Sequence, residues 1–363
     1  MKIGILGFGF MGRTFIHSLN NLNDYYKDVP KNISVKGIST SSLSSSKSID
    51  IKRYNIEKIY NNSDKLLEDE EIDSVYIASP NKFHYKQIIK AINNNKNILC
   101  DKPLTINSKQ SNELAKIVNK KNNIFQMLFE YRNIPSIREI KQLIEKNKIG
   151  KIVNFRINYL HSGYLDKQRP MSWRLRGGGG ALLDLGPHAL DLINFLLGEI
   201  TQIKGIKKNH IGKRYTDSLN NSFEKVSVDD FALGICETKS GILGTIEVSR
   251  LSMGSIDDLN IHISGEKGSV KWSLEELNFY EISSTLGVTK KFASSTLSDS
   301  IDFPPSKVSH GWLRAHTHSI YQFVKQVNKQ LPRNEKFFLP NFNDGLLVQK
   351  QLELFNSKKN FFK

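Results

Sequence analysis

Three residues in this 363-residue chain are equipped for chemistry: Lys102, Asp184 and His188. Asp184 and His188 stand four positions apart in Ala181-Leu182-Leu183-Asp184-Leu185-Gly186-Pro187-His188. On a helix that spacing puts a carboxylate and an imidazole on one face, where both can act on one bound group. An imidazole exchanges protons near neutral pH, which suits a general acid/base. Gly177, Gly178, Gly179 and Gly180 lead into the segment, and a turn without side chains lets a ligand approach closely. Lys102, in Asp101-Lys102-Pro103, offers an ammonium that would stabilise alkoxide character on a reacting oxygen. Outside a wider pattern, such an Asp/His pair is more often structural and such a lysine simply solvated.

A second pattern binds rather than reacts. Gly7-Phe8-Gly9-Phe10-Met11-Gly12 fits G-x-G-x-x-G and follows the apolar run Ile3-Gly4-Ile5-Leu6. In a strand–turn–helix setting, Gly7 allows the tight turn and Gly9 admits a pyrophosphate to the backbone. Gly12 lets the helix pack closely on the strand, and the helix N-terminus supplies N–H donors and positive dipole. A dinucleotide cofactor is therefore expected. An NAD-specific site usually places an acid at the end of the second strand. Here that strand ends Gly37-Ile38-Ser39-Thr40-Ser41-Ser42, with Lys47 beyond. Hydroxyls at Thr40 and Ser41, and no carboxylate, tilt the NAD(P) choice slightly toward NADP.

The elements that must position these groups follow from periodicity. Strands are expected at Ile3–Leu6, Val35–Ser39, Ser74–Ala78, Ile98–Cys100 and Ile124–Met127. Helices are expected between them, at Met11–Leu22, Asp64–Glu68, Phe83–Asn93 and Ser108–Asn119. This βαβ rhythm predicts a parallel sheet. After a helix over Pro135–Asn147 the rhythm changes to alternating strands: Ile152–Leu160, Thr201–Lys207, Val228–Glu237, Gly241–Arg250, Leu259–Ser264 and Gly268–Leu274. These suit a mostly antiparallel sheet with one exposed face. The helix Ala181–Leu197 interrupts them, and His318–Lys329 and a stretch from Gly345 close the chain. The fold class is α/β: an N-terminal Rossmann dinucleotide-binding domain over 1–125, then a C-terminal α+β domain with an open-faced sheet over 126–363. The Ser-rich run Ser39–Ser48 is short, and Ser294–Pro305 reads as a surface loop.

Taken in order, four segments resemble the Gfo/Idh/MocA oxidoreductases. They are the opening glycines, Ser79-Pro80-Asn81 followed by His84, Asp101-Lys102-Pro103, and the glycine turn leading to Asp184-Leu185-Gly186-Pro187-His188. Arg132-Asn133-Ile134-Pro135, Gly150, Trp173-Arg174 and Pro340–Gly345 extend the resemblance over most of the chain. It implies hydride transfer between nicotinamide and a sugar, a sugar derivative (nucleotide-linked ones included) or a polyol. His188 would then be the general acid/base, Asp184 would bind substrate or tune the site, and Lys102 would assist at the reacting oxygen. It further implies that Gly7, Phe8, Gly9, Phe10, Met11, Gly12, Thr40, Ser41, Ser79, Pro80, Asn81, His84, Asp101 and Lys102 hold the cofactor. Arg132, Trp173 and Arg174 would join Asp184 and His188 around the substrate. A cis peptide before Pro103 would aim Lys102, and a homodimer or homotetramer would form through the exposed sheet face. The alternative is a dinucleotide-binding sensor without catalysis, since the fold alone does not give function.

Composition narrows the remaining classes. Hydrophobic residues make up 39% and charged residues 24%, the mixture of a globular protein. No apolar run approaches the roughly 20 residues that span a bilayer, and no signal segment is expected ahead of the first strand. Cys100 and Cys236 are the only cysteines, too few for a disulfide framework, so a cytoplasmic protein is expected. The net charge of +16 is spread through a Lys/Asn/Ile-rich sequence rather than gathered into a basic platform. Nucleic acid is therefore not expected as a partner. His310, His316 and His318 lack acid or thiolate partners at ligand spacing, so no metal is expected. The basic stretch Lys204–Arg214 reads as a solvated strand and turn.

Overall fold

The computed structural model describes residues 1–40, 49–216, 222–293, 309 and 311–355. Ser41, Lys47, most of the Ser-rich run, the loop 294–305 and His310 lie outside the described residues. The chain forms two compact units, Met1–Asn133 with Thr296–Leu346, and Ile134–Ser295 with Leu347–Lys363.

The first unit is built on six strands: β1 (Lys2–Leu6), β2 (Ser34–Ser39), β3 (Ile56–Tyr60), β4 (Ser74–Ile77), β5 (Asn97–Cys100) and β6 (Phe125–Met127). Their order is β3-β2-β1-β4-β5-β6, and every pairing is parallel. This is the doubly wound order whose chain reversal, between β1 and β4, opens a binding crevice at the carboxyl ends of the strands. Ile3, Ile5, Val75, Ile77, Ile98 and Leu99 are buried, as expected for strands covered on both sides. Strand β3 is absent from the sequence-based expectation. Its Glu57 and Lys58 are exposed, so this edge strand lacks the continuous apolar run that marks its neighbours.

A single boundary at 125/126 does not describe these units. The helix Trp312–Val327, which starts six residues before the expected His318, returns to the first unit. His316 Nδ1 lies 3.1 Å from Ser18 Oγ, and His318 lies between Tyr26 Oη at 2.8 Å and Glu335 Oε2 at 3.0 Å. Asn133 Nδ2 donates to Ser319 Oγ and Gln322 Oε1, each at 2.8 Å. Polar groups this deeply buried need such partners, and apart from Glu335 those of this helix (Ser18, Tyr26 and Asn133) belong to the N-terminal part of the chain.

The second unit carries an eight-stranded sheet of order β16-β15-β14-β13-β7-β12-β11-β8. Its strands are β7 (Ile152–Leu160), β8 (Ile200–Lys208), β11 (Phe231–Thr238), β12 (Leu243–Ser249), β13 (Asp258–Gly265), β14 (Gly268–Ser273), β15 (Phe279–Ser284) and β16 (Gly287–Phe292). Among the described residues of this sheet, only β7 and β12 pair in parallel. Phe155, Ile157, Ile246, Val248 and Ile261 are buried on the face covered by the helix Ala181–Leu197. Leu233, Ile235 and Leu243 are exposed. The hairpin β9 (Lys213–Tyr215) with β10 (Phe223–Lys225), and strands β15 and β16, were not anticipated. Val288 through Lys291 of β16 are exposed throughout, so no alternation marks that strand.

Part of the basic stretch also needs correction. Lys204, Lys207 and Lys208 are exposed on β8, but Arg214 is only 4% exposed. Its guanidinium donates to the backbone carbonyls of Tyr164 and Asp166, so it closes a loop rather than facing solvent.

Candidate active site

The glycine turn has the shape that a pyrophosphate needs. Gly7 has φ +98°, and a Cβ there would meet Ala78 O at 2.7 Å and Ser79 N at 2.8 Å. A Cβ on Gly12 would meet Gly7 O at 2.3 Å, so the helix Phe10–Asn20 packs on the turn without room for a methyl. Gly9 differs: a Cβ there would meet nothing within 4 Å. It stands at the N-cap of that helix, with no side chain capping the first turn. Free N–H groups beside open backbone are what an anionic dinucleotide requires. Phe8 meets Tyr54 edge-on at 5.1 Å, and the exposed Phe10 stacks on Trp312 at 6.0 Å.

The ends of β4 and β5 sit beside this turn. The Lys102–Pro103 peptide is cis. His84 is fully buried, with Nδ1 2.9 Å from Pro103 O and Nε2 2.8 Å from Ser79 O. Both nitrogens thus face backbone carbonyls, and His84 ties the two loops together. Asp101 also turns inward. Its Oδ1 accepts the Lys102 N–H at 2.8 Å, and its Oδ2 accepts the Tyr76 hydroxyl at 3.2 Å. Burial pushes its carboxyl above the ordinary range. Ser79 Oγ donates to Gln87 at 2.6 Å, while Asn81 is buried.

Glu130, unremarked in the sequence, is 4% exposed and accepts from Trp312 Nε1 at 3.3 Å. Burial and the neighbouring Asp101 charge push its carboxyl up to about 8. Arg132 is likewise buried and forms an ion pair with Asp344 at 3.1 Å.

In the second unit the glycine turn leads into the helix that carries Asp184 and His188. Gly178 and Gly180 have φ +91° and +101°, and a Cβ on Gly179 would overlap Arg174 O at 2.2 Å. Gly180 cannot cap the helix Ala181–Leu197 with a side chain, so Asp229 does it from a distant loop. The Leu182 N–H donates to Asp229 Oδ2 at 2.7 Å, and the Ala181 N–H to Asp229 O at 2.9 Å. Asp184 stands in the first turn, where the positive end of the helix dipole favours a carboxylate. Its Oδ2 takes a hydrogen bond from Arg250 and lies 3.4 Å from Arg174 Nε. Arg174 lies 4.5 Å over the Trp173 ring. His188, 6% exposed, meets the Tyr159 ring edge-on at 5.9 Å.

Sheet register brings further groups to this place. β7 pairs with β12 through Leu160↔Ser249 and with β13 through Leu160↔Asp258. His161, Arg250 and Asp257, one residue beyond these pairs, therefore gather at one end of the sheet. None was singled out by sequence, where each is an ordinary polar residue at a strand end. His316 and His318 are engaged as described above, and among the described residues no group of three metal-ligating side chains occurs.

Comparison with known proteins agrees with this architecture. Residues 1–129 match the oxidoreductase family with an NAD-binding Rossmann fold, and residues 137–271 match the GFO/IDH/MocA C-terminal domain. The chain belongs to the Gfo/Idh/MocA oxidoreductase family. It is 27% identical to levoglucosan dehydrogenase of Pseudarthrobacter phenanthrenivorans over 76% of this chain and 74% of the relative. It is 25% identical to glucose-6-phosphate 3-dehydrogenase of Bacillus subtilis over 98% of this chain and 96% of the relative. The crystal structure of an NAD-binding oxidoreductase from Klebsiella pneumoniae superposes with a TM-score of 0.86 at 27% identity, covering 98% of this chain and 96% of that one.

Proposed function

We propose that this chain is an NAD(P)-dependent dehydrogenase that oxidises a hydroxyl of a sugar, sugar derivative or polyol, or reduces the matching carbonyl. The observation that carries the reading is the Asp184–His188 pair on one helix turn, with Arg250 on the carboxylate. His188 takes the proton of the reacting hydroxyl, or returns it in reduction. Asp184 holds a substrate hydroxyl, and Lys102 donates to the reacting oxygen as negative charge develops there. The dinucleotide, held at Gly9 and the helix N-terminus behind it, supplies the hydride carrier. The names of the relatives, a levoglucosan dehydrogenase and a glucose-6-phosphate 3-dehydrogenase, support a sugar as the substrate class.

NADP binds at least as well as NAD in this reading. No acid follows β2 at Thr40. Arg53, missed by sequence, lies 5.6 Å over the ring of Tyr54, which meets Phe8 of the glycine turn. A guanidinium there suits a 2′-phosphate. The exposed sheet face with Leu233, Ile235 and Leu243 suits association with a second copy, to a homodimer or homotetramer. The free, buried Cys100 and Cys236 suit the cytoplasm.

The test is a panel of sugars, polyols, sugar phosphates and nucleotide sugars with both cofactors, read at the nicotinamide absorbance. His188→Ala should leave dinucleotide affinity nearly unchanged and lower turnover by roughly 10²–10⁴-fold. Tight dinucleotide binding with no turnover across the panel would favour the sensor.

A further inference from the structure

We propose that Asp257 is a positioning residue for His188 and acts through the Tyr159 ring. The inference rests on the reading that His188 handles the proton.

Tyr159 is 4% exposed and lies on the β7 face covered by the helix that carries His188. Its ring meets His188 edge-on, with centroids 5.9 Å apart and planes at 68°. An edge-on aromatic contact is directional, so it orients the imidazole only as well as the phenol ring is itself held. The phenol is held at its far end. Its hydroxyl donates to Asp257 Oδ1 at 2.7 Å. The same oxygen lies 3.0 Å from His161 Nε2, and the His161 ring lies 5.3 Å from that of Tyr159. One carboxylate oxygen thus joins the ring that meets His188 to a second ring, that of His161.

The arrangement follows from register. Leu259 of β13 pairs with Tyr159, and Asp258 with Leu160, so Asp257 falls across from His161 where the ladder ends. Desolvation works against an ionised Asp257, yet hydrogen bonds from His161 and Tyr159 hold its carboxyl below the ordinary range. The anchor therefore stays charged, and charged acceptors make the stronger hydrogen bonds.

Tyr159→Phe and Asp257→Ala cut the same bond from its two ends, and the first keeps the ring. The readouts are the imidazole NMR signals of His188, assigned by comparison with His188→Gln, and kcat and KM in steady state. Both single variants should shift the His188 signals. Each should lower kcat on the order of tenfold, with cofactor affinity unchanged. The double variant should be no worse than the poorer single one, as for two groups serving one interaction. Unshifted His188 signals in both variants would overturn the proposal. So would effects on kcat that multiply in the double variant. If the wild-type protein turns over no substrate, the proposed dehydrogenase activity fails, and the NMR arm still decides whether Asp257 positions His188.

Discussion

Arg250 grips the carboxylate of Asp184 one helical turn before His188, across 66 residues of sequence. Asp184 is 5% exposed, so loss of Arg250 takes a close cationic partner away from a buried charge. Arg250→Met should destabilise the protein by about 3 kcal/mol, the scale for breaking a buried ion pair from one side. Adding Asp184→Asn should recover much of that loss, because no charge then remains to be compensated. Urea unfolding of the three variants measures both effects, and equal stability of the single and double variants would refute the account.

The glycine turn gives a prediction with two opposite halves. Gly9→Ala enters open space and should change stability by no more than about 0.5 kcal/mol. It should nevertheless weaken NAD and NADP binding at least tenfold, because the methyl occupies the place of the pyrophosphate. Gly12→Ala meets Gly7 O at 2.3 Å, and should damage folding and binding together. Calorimetric titration beside thermal melts separates the two, and normal cofactor affinity in Gly9→Ala would move the phosphate site elsewhere.

Cofactor choice should respond to two substitutions in opposite places. Thr40→Asp introduces a carboxylate where a 2′-phosphate would lie and should shift preference toward NAD. Arg53→Ala should raise the Kd for NADP several-fold while leaving NAD nearly unchanged, as expected for one lost guanidinium–phosphate contact. Strong NAD selectivity in the unmodified protein would show that another group reads the ribose.

Glu130 predicts a pH dependence of stability. Its carboxyl is raised from 4.5 to about 8 in the folded state, so the fold binds a proton that the unfolded chain releases. The stabilisation is fully present below the unfolded value and is lost as pH rises through the folded one. The Tm should fall between roughly pH 5 and pH 9, and Glu130→Gln should flatten that fall. A wild-type and variant pair with parallel Tm profiles would contradict it.

The sequence was informative wherever a local pattern carries the physics. The helix Ala181–Leu197 was delimited to the residue, and β1 and β5 within one residue, since burial imposes a period that a short window reveals. The glycine turn was legible for the same reason, because Gly7 and Gly12 have contacts that no other residue could make. The exposed edge strands β3 and β16 were not, as solvent leaves their sequences unconstrained. What surrounds Asp184 and His188 was decided only by tertiary structure. Arg250 and Asp257 become neighbours of Asp184, His161 and Tyr159 through the register of β7 with β12 and β13. Likewise Ser18 meets His316 across 298 residues. Such pairings leave no trace in local periodicity, for each residue is ordinary in its own segment and acquires a role only when the sheet brings its strands together.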